Sequence, residues 1–386
     1  MRIALVAGEA SGDLLGAGLI RAVREKIPGA QFQGVAGPAM IAAGCERLAD
    51  SESLAVMGLI EPLAEIPKLL RLRRALTRRW QASPPDVFVG IDAPDFNLGL
   101  EKALRKSGIP TVHYVCPSIW AWRAGRIKTI RKAADRVLCI LPFEKKILDA
   151  QGVDAVFVGH PKADHLATDI DAESARRILD LDGRTVIAVL PGSRKSEVTR
   201  LGPVFVAAAA ILAQSDEQLR FVTPVAAPRL RPLIEAQIAA AGMRDRFTLI
   251  DGDSIEAMSA AHVVLLASGT AALESALLCK PMVAAYRVAE ITARILDIFG
   301  LVKTPYFTLP NLLTEEPLVP ELIQWAVTPD AVAAAVQAML ADPERRAAIA
   351  GRFAKLRVEL ALDADRRAAD AVIDLATRTG QHHPTP

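Results

Sequence analysis

Cysteine is scarce in this chain of 386 residues, and its four cysteines are widely spaced with no CxxC pair. This spacing argues against a disulfide framework or a zinc site and fits a reducing compartment. The charge is nearly balanced, with a formal net charge of +2, so the composition does not indicate a nucleic-acid partner. No uninterrupted apolar run approaches the ~18 residues that span a bilayer, and the N-terminus lacks the long apolar region of a signal peptide. We therefore expect a soluble, cytoplasmic protein.

Hydrophobic residues make up 51% of the chain and charged residues 23%, which is typical of a globular protein with a large core. Short apolar, β-branched runs alternate with longer helical patterns, and both faces of a strand must be covered where hydrophobicity is continuous. This pattern predicts parallel sheets. The predicted strands of the first half are Ile3–Ala7, Phe32–Ala36, Val87–Ile91, Thr111–Val115, Arg136–Leu141 and Ala155–Val158.

A polar, strand-free stretch from Pro161 to Arg184 separates this series from a second one, and only helical patterns follow Pro329. Two such series predict an α/β fold of two doubly wound, Rossmann-like domains facing across a cleft. We expect domains at residues 1–165 and 166–349, with C-terminal helices and a polar tail at 350–386. The strands predicted for the second domain are Thr185–Leu190, Phe221–Val225, Phe247–Ile250, Val263–Ala267 and Met282–Tyr286.

A glycine-rich turn, GEASGD at residues 8–13, follows the first predicted strand. Its glycines let a backbone approach a ligand, and the helix that follows presents its N-terminus. The acidic side chains suit sugar hydroxyls better than phosphate. Glu9, Ser11 and Asp13 are therefore predicted to bind the acceptor sugar, with helix capping by Ser11 or Asp13 as the alternative.

Asp92 directly follows the predicted strand Val87–Ile91. Ligands of open parallel sheets bind beyond the C-terminal ends of strands, so its carboxylate is placed to act as a general base on an acceptor hydroxyl. Helix capping is the alternative for Asp92, and it is the preferred interpretation for Asp95, which follows the entry turn at Pro94.

Two further strand ends in the second half carry small-residue loops, LPGSR at 190–194 and SGTAALE at 268–274. A glycine turn, a hydroxyl, an arginine and a helix start are typical of a site for a diphosphate. A plain turn with a solvated arginine is the alternative for LPGSR. Glu274 lies one helical turn after Thr270 and is predicted to accept from ribose hydroxyls. The predicted donor-binding residues in these loops are Gly192, Ser193, Arg194, Ser268, Gly269, Thr270 and Glu274.

Apolar and basic residues are interleaved between positions 56 and 80, where Pro62 and Pro67 predict that a helix begins near Pro67. Apolar groups flanked by cations are typical of an element at a membrane surface, although a solvated basic helix face has the same composition. Two tryptophans beside a second basic run suit the same surface, with a place in the protein core as the alternative for both. The residues predicted to contact it are Met57, Leu69, Leu72, Arg71, Arg73, Arg74, Arg78, Trp120 and Trp122.

Two signatures are absent from the predicted strand ends. GxGxxG follows neither first strand, which disfavours a nicotinamide-linked oxidoreductase. No Asp-x-Asp clamp lies in a suitable loop, so we expect no metal and no cofactor. A cation and a helix dipole would then stabilise the charge of a bound diphosphate.

In their order along the chain these motifs closely resemble those of the lipid-A-disaccharide synthases, inverting glycosyltransferases of the GT-B type. The resemblance covers nearly all of the sequence, and the polar tail QHHPTP is its one clear departure. The matching motifs are GEASGD (8–13), MGLIEPL (57–63), GIDAPDFN (90–97), HYVCPSIWAWR (113–123), LPFEK (141–145), GHP (159–161), LPGSR (190–194), LLASGTAALE (265–274) and LPNLL (309–313).

The resemblance implies that UDP-2,3-diacylglucosamine donates its sugar to 2,3-diacylglucosamine 1-phosphate, giving a β-1,6-linked disaccharide 1-phosphate and UDP. It implies Asp92 as the base, Arg194 at the departing UDP, Glu274 at the ribose and Asn311 in the donor site. It also implies that the final helices cross back to the first domain. The partners expected are the UDP-diacylglucosamine donor, a lipid acceptor and the anionic inner face of the inner membrane, to which the enzyme binds peripherally.

Three other functions remain open on the sequence alone. Another GT-B enzyme, either a transferase of peptidoglycan precursors or a UDP-sugar epimerase, would share the strand-end loops. A non-enzymatic sensor of sugar nucleotides would keep LPGSR and SGTAALE but would not require Asp92. The oligomeric state is not indicated.

Overall fold

The computed structural model describes residues 1–54, 66–120, 124–166, 171–252, 254–289 and 306–380. The chain divides into two units: unit 1 comprises Met1–Asp164 and Leu360–Pro386, and unit 2 comprises His165–Glu359. Unit 1 contains a parallel sheet in the order β3-β2-β1-β4-β5-β6-β7. Its described strands are β1 (Arg2–Ala7), β2 (Gln31–Ala36), β3 (Cys45–Asp50), β4 (Val87–Ile91), β5 (Thr111–Tyr114), β6 (Arg136–Cys139) and β7 (Ala155–Phe157).

Unit 2 repeats this arrangement with a second parallel sheet, in the order β10-β9-β8-β11-β12-β13. Strands β1, β4 and β8 are almost wholly buried because helices cover both sheet faces. This burial confirms the fold predicted from continuous hydrophobicity. The described strands of unit 2 are β8 (Thr185–Leu190), β9 (Leu219–Val225), β10 (Phe247–Asp251), β11 (Val263–Ala267), β12 (Met282–Tyr286) and β13 (Glu321–Ile323).

Helices connect the strands in both units. The stretch predicted to be free of strands contains two short helices in its described part, and the described residues after 329 are almost entirely helical, as expected. The described helices are α1 (Ala10–Lys26), α2 (Pro38–Ala42), α3 (Ile66–Ala82), α4 (Pro94–Lys106), α5 (Ile127–Ala133), α6 (Pro142–Asp149), α7 (Pro161–His165), α8 (Ala172–Ile178), α9 (Lys195–Ser215), α10 (Arg231–Ala240), α11 (Ser254–Ala260), α12 (Thr270–Leu277), α13 (Leu309–Thr314), α14 (Pro329–Ala341), α15 (Pro343–Leu360) and α16 (Ala364–Gly380).

Each sheet reverses its strand order at one point, between β1 and β4 in unit 1 and between β8 and β11 in unit 2. Ligands of doubly wound sheets bind in the crevice at such a switch point, beyond the carboxyl ends of the strands. All four loops singled out in the sequence follow these four strands. The topology therefore places them in two pairs, one pair at each switch point.

The last helix, α16, belongs to unit 1, where it packs against α1. The Arg136 guanidinium of β6 donates to the Ala371 carbonyl at 3.0 Å and to the Asp374 carboxylate at 2.8 Å, which fixes α16 to the sheet. The chain segments that leave and re-enter unit 1 are joined to each other as well. The His160 N–H donates to the Leu360 carbonyl at 2.8 Å, and the Asp164 carboxylate accepts from the N–H groups of Asp363 and Ala364 at 3.0 and 2.7 Å.

Among the described residues, α9 is the one helix that is long and apolar enough to cross a membrane by length and composition. Of its most apolar 18-residue window, 44% is buried within the protein. It packs against α10 and α14 in unit 2. Core helices of globular proteins meet the same criterion, so α9 alone is weak evidence for a membrane span.

Candidate functional site

Asp92 occupies a strained backbone position at the end of β4. Asp92 and Ala93 have φ angles of +50° and +42°, in the left-handed region that non-glycine residues rarely adopt. Each such residue costs about 1–3 kcal/mol, and this kind of strain is concentrated at functional sites. The side chain is half-buried, and within the described part of the chain its carboxylate has no hydrogen bond or ion pair. The carboxylate is therefore available to a ligand at the switch point of unit 1.

Neighbouring groups hold this strained turn in place. The Asn97 amide donates to the Asp92 carbonyl at 2.8 Å and to the carbonyls of Val6 and Ile91 at 3.3 Å. Gly8, which follows β1, packs against Ala93: a Cβ at position 8 would stand 2.6 Å from the Cβ of Ala93. A glycine is thus required at position 8 for the loop after β1 to pack on the loop after β4.

The three residues predicted to bind the acceptor sugar differ in their surroundings. Glu9 and Ser11 are exposed at the N-terminus of α1, and Glu9, the N-cap residue, makes no side-chain capping bond. Asp13 is 4% exposed, and its carboxylate accepts from the N–H groups of Gly37, Ala39 and Met40 at 2.8, 2.8 and 3.1 Å. The Asp13 carboxylate therefore caps α2, whereas Glu9 and Ser11 lie exposed beside it in sequence.

Asp95 lies in the first turn of α4, where its acidic charge suits the helix dipole. The N-cap position itself belongs to Ala93, so the capping role predicted for Asp95 is wrong. Its carboxylate pairs with Arg126 instead.

A buried polar pair beneath the Asp92 turn was not predicted. Glu101 of α4 and His113 of β5 are both fully buried, and Glu101 Oε1 lies 2.7 Å from His113 Nδ1. Burial raises the pKa of Glu101, although the interaction with His113 opposes this shift. The sequence did carry a signal: Glu101 interrupts the apolar stripe formed by Phe96, Leu100 and Leu104 on α4.

The LPGSR loop follows β8 at the switch point of unit 2. Gly192 has a φ of +122°, and a Cβ there would meet the Cβ of Glu197 at 2.5 Å, so glycine is required. The Glu197 carboxylate already accepts from the N–H groups of Ser193 and Arg194 at 3.0 and 3.2 Å. These two amides are therefore engaged within the protein and are not open to a diphosphate in this structure.

The Arg194 guanidinium remains accessible, because its side chain is 80% exposed and, within the part of the chain that the structure describes, makes one loose contact of 3.4 Å with Glu197. An exposed guanidinium beside a helix start suits phosphate oxygens. Ser193 is exposed at the same place.

The loop after β11 presents a second helix N-terminus. Gly269 is the N-cap residue of α12 and leaves the first turn without a side-chain cap. Gly269 and Thr270 are exposed, while Ser268 and Glu274 are half-buried. Ser268 Oγ donates to the Phe307 carbonyl at 3.3 Å. Gly269, Thr270 and the α12 amides therefore offer hydrogen-bond donors at the switch point.

Asn311, which the resemblance places in the donor site, is 1% exposed. Its amide donates to the Val319 carbonyl at 3.0 Å and to Glu321 Oε1 at 2.8 Å, and its oxygen accepts from the Val319 N–H at 3.0 Å. These bonds use the side chain to join α13 to β13. Direct donor binding by Asn311 is thus not supported.

The predicted membrane element includes α3, which begins at Ile66 beside the predicted start at Pro67. Leu69 is buried in the core of unit 1 and Leu72 packs against that core, so these apolar side chains do not face outward. The Arg73 guanidinium lies over Gly99 of α4, 2.3 Å from an ideal Cβ position. Three of the arginines predicted to contact a membrane are exposed: Arg71, Arg74 and Arg78.

Met57 and Trp122 lie outside the described residues, as does the MGLIEPL motif. Trp120 is half-buried and is held by its neighbours: its ring packs edge-on against Phe143 at 5.3 Å, and its Nε1 lies 3.4 Å from Glu144 Oε1. Trp120, which was predicted to contact a membrane, therefore packs against residues of the protein itself.

Glu144 joins two cysteines in a buried cluster. One ligand atom from each of Cys116, Cys139 and Glu144 lies within 4.8 Å of the others, so the three residues form a potential metal-binding group. The wide spacing of the cysteines along the chain gave no indication of it. A hydrogen bond with Cys116, together with burial, raises the pKa of Cys139. Burial also raises the pKa of Glu144 to about 8.

We expect the contribution of Glu144 to the free energy of unfolding to fall between about pH 5 and pH 8. The folded protein retains the Glu144 proton that the unfolded chain releases at its ordinary pKa, 4.5. The resulting stabilisation is complete below that value and is lost as pH rises through about 8. Urea unfolding of the wild type and of Glu144→Gln across this range should show that fall as a pH-dependent difference between the two proteins. An identical pH dependence in the variant would contradict the raised pKa.

The family model and the sequence relatives that match this chain point to the same family. A family model described as lipid-A-disaccharide synthetase matches residues 3–374. Two relatives named lipid-A-disaccharide synthase are each 48% identical to this chain. The one from Xanthomonas campestris pv. campestris aligns with 98% of this chain and 86% of its own length. The one from Burkholderia thailandensis aligns with 96% of both.

Solved structures share the fold. A putative UDP-N-acetylglucosamine 2-epimerase from Listeria monocytogenes has a TM-score of 0.64 at 14% identity, covering 100% of this chain and 98% of that one. A UDP-GlcNAc 2-epimerase from Neisseria meningitidis bound to UDP-GlcNAc has a TM-score of 0.63 at 14% identity, covering 97% and 100%. A glycosyltransferase from Rickettsia africae has a TM-score of 0.59 at 11% identity, covering 99% of both. At such low identities these likenesses show the fold alone.

Proposed function

Because this chain belongs to the lipid-A-disaccharide synthase family, we propose that Asp92 is the general base of its glycosyl transfer. The enzyme is a glycosyltransferase of lipid A biosynthesis and uses a UDP-sugar donor. The observation that carries the proposal is the Asp92 turn at the switch point of unit 1: its backbone is strained, and its carboxylate has no partner among the described residues. Retaining such strain is costly and fits a catalytic role.

In this reaction the Asp92 carboxylate removes the proton from the 6-hydroxyl of an acceptor, 2,3-diacylglucosamine 1-phosphate. The hydroxyl oxygen attacks the anomeric carbon of UDP-2,3-diacylglucosamine, and the bond to UDP breaks with inversion. Deprotonating the nucleophile as it attacks makes oxygen more electron-rich in the transition state, where general-base catalysis acts. Glu9 and Ser11, exposed beside Gly8, are the proposed partners of the acceptor sugar.

Unit 2 is proposed to hold the UDP portion of the donor. The Arg194 guanidinium and the N-terminus of α12 would stabilise the negative charge that develops on UDP as the glycosidic bond breaks. Ser193, Gly269 and Thr270 add exposed donors, and Glu274 is proposed to contact the ribose. A contact between the diphosphate and the amides at 193 and 194 would require the Glu197 carboxylate to move.

Epimerases and transferases that act on other lipid-linked sugars share this fold and would also bind a UDP-sugar. The family match and the 48% identity are to synthases, so these alternatives are not favoured. Incubating the enzyme with both diacylated substrates and detecting disaccharide 1-phosphate tests the proposed reaction directly. UDP-sugar turnover without acceptor consumption would contradict it.

We expect EDTA to leave the transfer rate unchanged, because the proposed leaving-group stabilisation comes from Arg194 and a helix dipole. The rate should be measured after dialysis against EDTA, and again after Mg²⁺ is restored. A rate that disappears with EDTA and returns with Mg²⁺ would contradict this mechanism.

The acceptor carries two acyl chains, so we propose that the enzyme binds the anionic face of a membrane through an exposed basic stripe on α3. Arg71, Arg74 and Arg78 lie opposite the buried residues Leu69 and Leu76 on this helix. Each cation near an anionic surface contributes about 1 kcal/mol, and salt screens the attraction. The attraction expected from α3 is therefore electrostatic, since its apolar stripe packs into unit 1.

We expect reversible binding to vesicles that contain phosphatidylglycerol, weakening as ionic strength rises, and little binding to phosphatidylcholine alone. Replacing Arg71, Arg74 and Arg78 with Ser should reduce co-sedimentation and leave UDP affinity unchanged. The matched control removes three exposed arginines of unit 2, Arg229, Arg244 and Arg345. Equal losses in both variants would show a general charge effect and not a specific surface.

A further inference from the structure

The Glu101–His113 pair has no part in the proposed chemistry, yet it is the polar centre of a buried region. Both side chains are fully buried, and among the described residues Glu101 Oε2 and His113 Nε2 have no hydrogen-bond partner. Buried polar groups that are incompletely bonded destabilise a fold, whereas two apolar side chains of similar shape often do not. A pair of this kind therefore calls for an explanation beyond packing.

Its position relative to β4 is specific. Glu101 and Asn97 lie one turn apart on the same face of α4, and both lie against Gly90. A Cβ at Gly90 would stand 2.2 Å from Glu101 Oε1 and 3.0 Å from the Cβ of Asn97. Gly90 is also the register partner of His113 in the neighbouring strand β5. The Glu101–His113 hydrogen bond therefore lies beside Gly90 of β4, two residues before Asp92.

Asn97 connects this buried region to Asp92, because its amide holds the Asp92 carbonyl at 2.8 Å. A displacement of α4 at Glu101 would move Asn97, and with it a turn whose two residues have positive φ. Such a turn keeps its geometry only while its surroundings enforce it.

From these contacts we propose that the Glu101–His113 pair is a positioning device for Asp92, acting through α4 and Asn97. The inference rests on the proposed role of Asp92 as the base. A purely structural role would instead stabilise α4 in the way that Leu104, fully buried on the same helix, does. The two roles differ in whether the effect on rate depends on the Asp92 carboxylate.

A double-mutant cycle between the Glu101–His113 pair and Asp92 distinguishes the positioning role from the structural role. Glu101→Met/His113→Leu replaces both partners by apolar side chains, and we expect kcat to fall roughly 10- to 100-fold, the scale of a small misplacement of a catalytic group. UDP affinity should not change, since unit 2 is untouched. In an Asp92→Asn background the same two replacements should have little further effect, because the position of an absent base no longer matters. Glu101→Gln, which keeps a hydrogen bond to His113, should retain most of the wild-type rate.

Folding is monitored by circular dichroism, with Leu104→Val as the control that lowers the melting temperature without the loss in kcat. If the double replacement does not fold, Gly90→Ala displaces Glu101 sterically and should show the same dependence on Asp92. Equal rate losses with and without the Asp92 carboxylate, or no loss at all, would overturn the positioning role while leaving Asp92 as the base. A wild-type rate in Asp92→Asn alone would overturn the proposed base and this inference with it.

Discussion

Asp92→Asn should lower kcat by about 100-fold or more, which is the scale of losing a general base. The substitution keeps the size and shape of the side chain and removes its ability to accept a proton. Because the carboxylate has no hydrogen bond or ion pair among the described residues, its replacement breaks no internal contact. Folding should therefore be unaffected, and UDP affinity measured by calorimetry should match that of the wild type.

The measurement is the initial rate of disaccharide formation with both substrates saturating. Asp95→Asn is the matched control, since it removes an acidic group three residues away that pairs with Arg126. Retention of a near wild-type rate in Asp92→Asn would transfer the role of base to another residue. Glu9, exposed beside Gly8, would be tested next as Glu9→Gln.

Arg194→Ala should weaken UDP binding roughly 10- to 150-fold and also slow transfer. The estimate follows from about 1.5–3 kcal/mol for a charge-assisted contact with phosphate. The arginine side chain is 80% exposed and its one ion pair among the described residues is a loose contact with Glu197, so the loss should come from ligand contacts and not from folding. A larger effect on kcat/KM than on UDP affinity would indicate stabilisation of charge in the transition state.

Arg229→Ala removes an exposed cation elsewhere in unit 2 and is the control for net charge. Isothermal titration of UDP into both variants distinguishes a specific contact from general electrostatics. Unchanged UDP affinity in Arg194→Ala would exclude this guanidinium from the donor site, whatever the family assignment.

The fold could be predicted wherever hydrophobicity is continuous, because strands covered on both faces have few polar residues. The two strands that this rule missed, β3 and β13, are edge strands. β3 contains Glu46 and Arg47 on a largely exposed strand. An edge strand has a neighbouring strand on one side only and often carries charged side chains. Its sequence therefore lacks the continuous hydrophobicity of strands in the sheet interior.

Site residues were predicted from residue type and from position at a strand end, and this accounts for both the agreement and the errors. Topology does bring the Asp92 loop beside the Gly8 loop, and LPGSR beside SGT, because each pair flanks a switch point. The sequence does not show which polar side chains form hydrogen bonds within the protein and are therefore not open to a ligand. Asp13 caps a helix whose N–H groups lie 24 residues or more away, and Asn311 joins α13 to β13. Such partners become apparent only once the chain is folded.

The return of the chain to unit 1 at α16 has a consequence for biosynthesis. A nascent chain that has emerged only as far as Asp164 contains all seven strands of the first sheet but not the helix that covers α1. Arg136 would then lack Asp374 and the Ala371 carbonyl, and the apolar surface beneath α16 would be open to solvent. The N-terminal unit therefore completes its folding after the C-terminal unit has been synthesised, which reverses the usual vectorial order in which the N-terminal domain folds first.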